Sequence, residues 1–186
     1  MTKVYINPGH DREYDSGAVN PCTGLRECDV AWQIGCRVEN YLKQAGCETM
    51  FRQSDNLWGE TDYPDRPVSV IGEANDWPAD LFVSIHCNAF NTEGQGTEVE
   101  CYSFGTESAQ LAQCIQDQIV GALGTVDRGI KERPGLAVLK DTDMPAVLVE
   151  TAFIDNNEDA WLLTNNQDEF ARAIARGITD YLSKEE

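Results

Sequence analysis

The sequence predicts an α/β fold, a twisted, mainly parallel (mixed) sheet of about six strands with helices on both faces. Three observations lead there. Short apolar runs of strand length, such as 81–85 and 146–149, alternate with longer stretches whose apolar residues recur every three or four positions. These short runs are continuously apolar, as in strands covered on both faces. The chain has 186 residues, 41% of them apolar and 25% charged, which suits one domain with a full-sized core.

The elements follow in order. Residues 3–7 form the first strand, and Asn7-Pro8-Gly9 turns the chain at His10. Residues 11–26 are polar and rich in Gly and Pro, hence a loop. From Glu27 the spacing of Val30, Ile34, Val38, Tyr41 and Leu42 is helical, with Gly46 closing the helix. A short strand spans 48–51, a loop 52–66, and a helix starting at Pro67 runs to about Asp76. The strand 81–86 ends on His86. Thr97 to Tyr102 is a strand, 106–123 a helix, 137–140 a short strand, and 146–150 an apolar strand ending on Glu150. Helices near 157–164 and 167–182 complete the chain. Neither repeat nor linker interrupts it, so 1–186 is expected to be a single domain.

Charge narrows the partners. The net charge is −18 with only 14 Lys and Arg, which argues against nucleic acid and against anionic membranes. It favours a soluble chain of low self-association, expected to be a monomer. No apolar stretch approaches the ~20 residues of a transmembrane helix. Met1-Thr2-Lys3 runs directly into a strand pattern, so synthesis in the cytoplasm without a signal peptide is expected. Seven cysteines without a C-x-x-C pair agree with that, and most are read as small buried hydrophobes.

The chain has two histidines, and both sit at strand ends. In an open parallel sheet, such positions converge on one crevice. His10, Glu27 and His86 together supply two imidazoles and one carboxylate, a recurring catalytic zinc set with an open fourth position. Either histidine alone is more simply a structural residue, and Glu27 alone a favourable acid in a first helical turn. Glu150 on an apolar strand needs a partner or a task, because an unpaired buried carboxylate is costly. Cys87 points to the face opposite His86, and neither it nor Cys28 is placed in the metal shell.

Several ordered blocks then carry a resemblance. They are Asn7-Pro8-Gly9-His10, Asp15-Ser16-Gly17-Ala18, Glu27-Cys28-Asp29-Val30, Arg66 with Ala74-Asn75, and Ala79-Asp80. Ser84 to Ala89, Gly96 to Val99, Arg128-Gly129-Ile130-Lys131 and Met144 to Ile154 continue the series. Across Val4 to Tyr181 the chain resembles the zinc-dependent N-acetylmuramoyl-L-alanine amidases of amidase-3 type, found in cell-wall hydrolases and phage endolysins. It departs from their usual Asp-Pro-Gly-His-Gly-Gly at Asn7 and at Asp11-Arg12.

The resemblance implies one Zn²⁺ held by His10, Glu27 and His86, with Glu150 as the catalytic general base. It implies cleavage of the amide between N-acetylmuramic acid and L-alanine of the stem peptide by zinc-activated water, and so peptidoglycan as the partner and the cell wall as the place of action. Asn88, Glu98, Arg66 and Lys131 fall within matched motifs and are candidates for substrate contact or support. Two alternatives stay open, a zinc-dependent peptidase acting within the stem peptide and a non-catalytic zinc-containing wall-binding module.

Overall fold

The computed structural model describes residues 1–59 and 64–184, so 60–63 of the expected loop 52–66 lie outside the described residues. The described residues form twelve elements. They are β1 (Lys3–Pro8), α1 (Glu27–Gln44), β2 (Glu48–Phe51), α2 (Val70–Asp76), β3 (Leu81–Asn88) and β4 (Thr97–Cys101), then α3 (Glu107–Leu123), β5 (Asp127–Glu132), α4 (Ala137–Lys140), β6 (Ala146–Phe153), α5 (Asn157–Asn165) and α6 (Gln167–Leu182). The six strands form one sheet in the order β2-β1-β3-β6-β4-β5. All neighbours are parallel except β4 and β6. The mixed, mainly parallel α/β sheet is the expected one.

Strand alternation gives the sheet two unlike faces. Val83, Ile85 and Cys87 of β3, with Val147 and Val149 of β6, point into a large core beneath α1, α3 and α6. Gly177 lets α6 cross α3 closely, since a Cβ there would lie 2.5 Å from the Ile115 backbone. On the other face Tyr5 stacks on Phe82 at 5.4 Å between ring centroids. With Leu148 they pack against Val70, Ile71 and Ala74 of α2 and Val138 and Leu139 of α4. Those two helices have only seven and four residues. They cover one end of this face and leave Ser84, His86 and Glu150 toward the other.

Helix ends follow the local chemistry. At the C-terminus of α1, Gly46 has φ 88° and donates to Lys43 O, while Cys47 donates to Leu42 O. This double bond pattern is the Schellman closure that a glycine permits. Ser69 caps α2 by accepting from Gly72 N at 2.9 Å. That helix therefore begins at Val70, and Pro67 lies outside it, a correction to the expected start.

Two further corrections concern strands. Residues 137–140 form a single helical turn rather than a strand, because successive helical residues lie close enough in angle for Val138 and Leu139 both to reach the core. The sixth strand is instead β5, whose sequence Asp-Arg-Gly-Ile-Lys-Glu has no apolar pattern. It is an edge strand, where charged side chains are tolerated and protect against unwanted pairing. His86 and Glu150 lie within their strands, not at the ends. β3 continues to Asn88 and β6 to Phe153, with the register shifting between His86 and Asn88.

Candidate active site

The site is built where β1 ends and β3 passes beside it. Gly9 N bonds Ile85 O at 2.8 Å, holding the turn against β3. A Cβ at Gly9 would overlap the His86 ring, so glycine is required there. His10 follows with φ 64°, a left-handed conformation that a non-glycine residue adopts at a cost of roughly 1–2 kcal/mol. Such strain is retained where surrounding structure imposes it, often at functional sites.

Glu27, at the start of α1, reaches over the sheet edge between the two imidazoles. Its Oε2 lies 3.0 Å from His10 Nε2 and its Oε1 3.0 Å from His86 Nδ1. The carboxylate also accepts Ala18 N at 2.8 Å and Cys87 N at 3.0 Å. The ligand-capable atoms of His10, Glu27 and His86 all lie within 4.8 Å of one another. Burial opposes ionisation of Glu27, yet its bonds to His10 and His86 hold it far below the usual carboxylate range. Burial likewise lowers His10, but Glu27 and Asp15 outweigh it and raise its pKa to about 9.

The surroundings fit a zinc ion. Two imidazole nitrogens and one carboxylate oxygen form a zinc-type donor set. Asp15 Oδ2 sits 2.7 Å from His10 Nδ1, where the ring N–H donates to it and leaves Nε2 facing the cluster. Asp15 is itself held by Gly17 N at 3.0 Å and lies below its ordinary pKa; burial raises it, but His10 lowers it further. A Cβ on Gly17 would lie 2.5 Å from the His10 ring and 2.6 Å from Glu27 Oε2. The space around the three donors is thus kept free by two glycines. Cys28 and Cys87 stand outside the cluster, as expected.

Glu150 completes the arrangement. It is in register with His86 on one side and with Glu98 on the other. Its Oε2 is buried and has no hydrogen-bond partner. Burial, then the Glu27, Glu100 and Glu98 carboxylates, push its pKa well above the usual value. Burial and the neighbouring acids thus both oppose its ionisation.

The other candidates divide. Asn88 Nδ2 donates to Glu98 Oε1 at 3.1 Å, and Glu98 is buried beside Glu150, so both border the site. Arg66 pairs with Asp55 at 2.9 Å and covers the Tyr14 ring at 3.8 Å. Its partner Asp55 lines a cleft of about 210 Å³ with His10, His86, Asp15 and the apolar Leu136 and Leu148. Lys131 is not brought to the cluster; it lies on edge strand β5 opposite Glu100, two strands from Glu150. Sequence reasoning gave Asp15 and Gly17 no role and Gly9 only a place in the turn before His10, although all three lie in quoted motifs. A carboxylate five residues after a scarce histidine was the available signal. Asn7, the departure from the usual aspartate, is accommodated because its amide donates to Arg52 O at 2.9 Å and its carbonyl accepts from Ser84 at 2.9 Å.

Comparison with known proteins adds to this. A family model described as N-acetylmuramoyl-L-alanine amidase matches residues 4–180. The chain is 35% identical over 184 residues to the N-acetylmuramoyl-L-alanine amidase LytC of Bacillus subtilis; the match covers 96% of this chain and 35% of LytC, so the chain spans about a third of that protein. It is 33% identical over 187 residues to the endolysin of Bacillus phage SPP1, covering 97% of this chain and 65% of the endolysin. The solved structure of the N-acetylmuramoyl-L-alanine amidase AmiC2 of Nostoc punctiforme superposes with a TM-score of 0.84 at 33% identity, over 98% of this chain and 97% of that one.

Proposed function

The chain belongs to the N-acetylmuramoyl-L-alanine amidase family, and from that we propose that it is a zinc-dependent hydrolase of the amide joining N-acetylmuramic acid to the L-alanine of the peptidoglycan stem peptide. His10, Glu27 and His86 hold the ion and Glu150 moves the proton. One observation carries this reading: three zinc-type donors converge within 4.8 Å beside a strand neighbour whose buried carboxylate oxygen has no partner.

Zinc at this point supplies Lewis acidity, bringing the pKa of water toward ~7 and polarising a carbonyl. The protein supplies the rest. Asp15 fixes the His10 tautomer, and two backbone N–H groups fix the Glu27 carboxylate. Glu150 accepts the proton of the attacking water and delivers a proton to the leaving alanine amine. Leu136 and Leu148 give the cleft an apolar wall beside His10 and His86.

In this reading the whole chain serves as one catalytic domain, supported by its single six-stranded sheet, and it acts on the cell wall, as the names of its relatives suggest. Among the described residues no helix is long and apolar enough to cross a membrane. The test is digestion of purified peptidoglycan by zinc-loaded protein, followed by mass spectrometry. A new L-alanine amine with the sugar intact is the expected product. A cut within the peptide would favour the peptidase alternative, and no cut a non-catalytic module.

A further inference from the structure

The two residues in register with Glu150, His86 and Glu98, each line a different cavity. On the β1 side lies the cleft already described, bearing Asp15 and Asp55. On the β4 side is a second cavity of about 410 Å³, whose lining includes Asn88, Phe90, Glu93, Glu98, Arg128, Arg133 and Phe153. The two arginines are set in place by buried glutamates of β4. Arg128 Nε donates to Glu98 Oε2 at 2.7 Å, and its guanidinium lies over the Phe153 ring at 4.8 Å. Arg133 Nε donates to Glu100 Oε1 at 2.9 Å. Glu98 and Glu100 are only 4% and 5% exposed, while the arginine side chains remain 38% and 49% exposed.

A guanidinium carries five N–H donors in a planar fork suited to carboxylates, and each glutamate is bonded by the Nε of its arginine. Anchoring by a buried acid fixes the side chain in advance, which lowers the cost of binding a further anion. Solubility does not call for cations in a chain of net charge −18. The two guanidinium groups are the exposed cations of this cavity, and their remaining N–H donors are what an anionic ligand would meet there.

We propose that Arg128 and Arg133 form a carboxylate subsite for the peptide arm of the substrate, with the uncharged sugar arm lying on the β1 side of Glu150. This rests on the amidase reading, because the bond cut in that reaction links a peptide bearing free carboxylates to a neutral acetamido sugar. The subsite makes the enzyme select stem peptides whose second residue keeps its free α-carboxylate over those in which it is an amide.

Calorimetric titration of the zinc-loaded wild type with L-alanyl-γ-D-glutamyl-L-lysine and with its glutamyl α-carboxamide tests this. The acid is expected to bind roughly tenfold tighter, as a charge-assisted bidentate contact allows, and the preference should shrink with added salt. Arg133→Gln should reduce the preference. The double variant Arg128→Gln with Glu98→Gln, which removes the cation without stranding its buried acid, should reduce it too. Equal affinity for the two peptides, binding of neither, or a preference that survives both variants would overturn the subsite. The amidase reading is judged separately by the digestion products, so a chain that cuts the amide without acid preference loses only the subsite.

Discussion

The two faces of the sheet follow opposite rules. Along β3, Val83, Ile85 and Cys87 enter a core closed by long helices, whereas Ser84, His86 and Asn88 enter a face covered at one end only. The first face is specified by volume and apolarity, and several side chains could fill each position. The second is specified atom by atom, with Glu27 bonded to two rings and two backbone amides. One strand thus carries both the stability and the chemistry of the protein, separated by the two-residue period. Substitutions on the two faces should therefore fail in different ways.

The largest effect is expected on the polar face. Glu150→Gln should lower peptidoglycan hydrolysis by about 10²–10⁴-fold, the range of a lost general acid–base group. Its zinc content by elemental analysis should stay stoichiometric, and its thermal midpoint should not fall, since a buried carboxyl without a partner at Oε2 is replaced by a neutral amide. On the apolar face, Ile85→Ala should cost about 2–5 kcal/mol of stability through cavity formation. Denaturant unfolding checks this, and zinc bound per folded molecule should be unchanged. An Ile85→Ala protein that kept full stability but lost its metal would break the division between the faces.

Asp15→Asn sharpens it further. It leaves all three donors in place and weakens only the orientation of His10, so zinc affinity in competition with a chelator should fall about 10–100-fold. Gly17→Ala places a methyl 2.5 Å from the His10 ring on a backbone of φ 62° and should weaken zinc binding as well.

The smallest effect is a pH dependence. In the metal-free protein the His10 pKa is raised from 6.5 to about 9, so the stability from this pairing is fully present below 6.5 and is lost as pH rises through about 9. Zinc needs the neutral ring and must displace that proton near neutrality. Zinc affinity should therefore rise with pH up to about 9, and calorimetry at pH 7 in buffers of different ionisation enthalpy should show proton release on binding. The metal-free thermal midpoint should decline over the same interval.

The apolar face was the more legible in the sequence, because burial on both sides of a parallel sheet leaves runs such as Ala146 to Val149 that need no context. The polar face was legible only where a residue type is scarce. Two histidines beside strand patterns pointed to the crevice, and Glu150 stood out as an acid on an apolar run. The parts that Asp15, Gly9 and Gly17 play around the imidazoles were not assigned, since they lie in closeness to rings brought together only by the fold. The arginine-bearing edge strand β5 was missed because an edge exposes its side chains and need not follow an apolar pattern. Val138 and Leu139, adjacent apolar residues in a short run, fitted a strand as well as a helical turn until the packing beneath β6 was known.

The most direct test of the central claim compares zinc-loaded wild type with zinc-loaded Glu150→Gln on the same purified peptidoglycan, with products identified by mass spectrometry and metal content measured in both. The expected result is equal zinc in the two proteins, with L-alanine amines and intact muramic acid released by the wild type alone. A Glu150→Gln protein that cleaves the wall at the wild-type rate, or a wild type whose only cuts fall within the peptide, would contradict it.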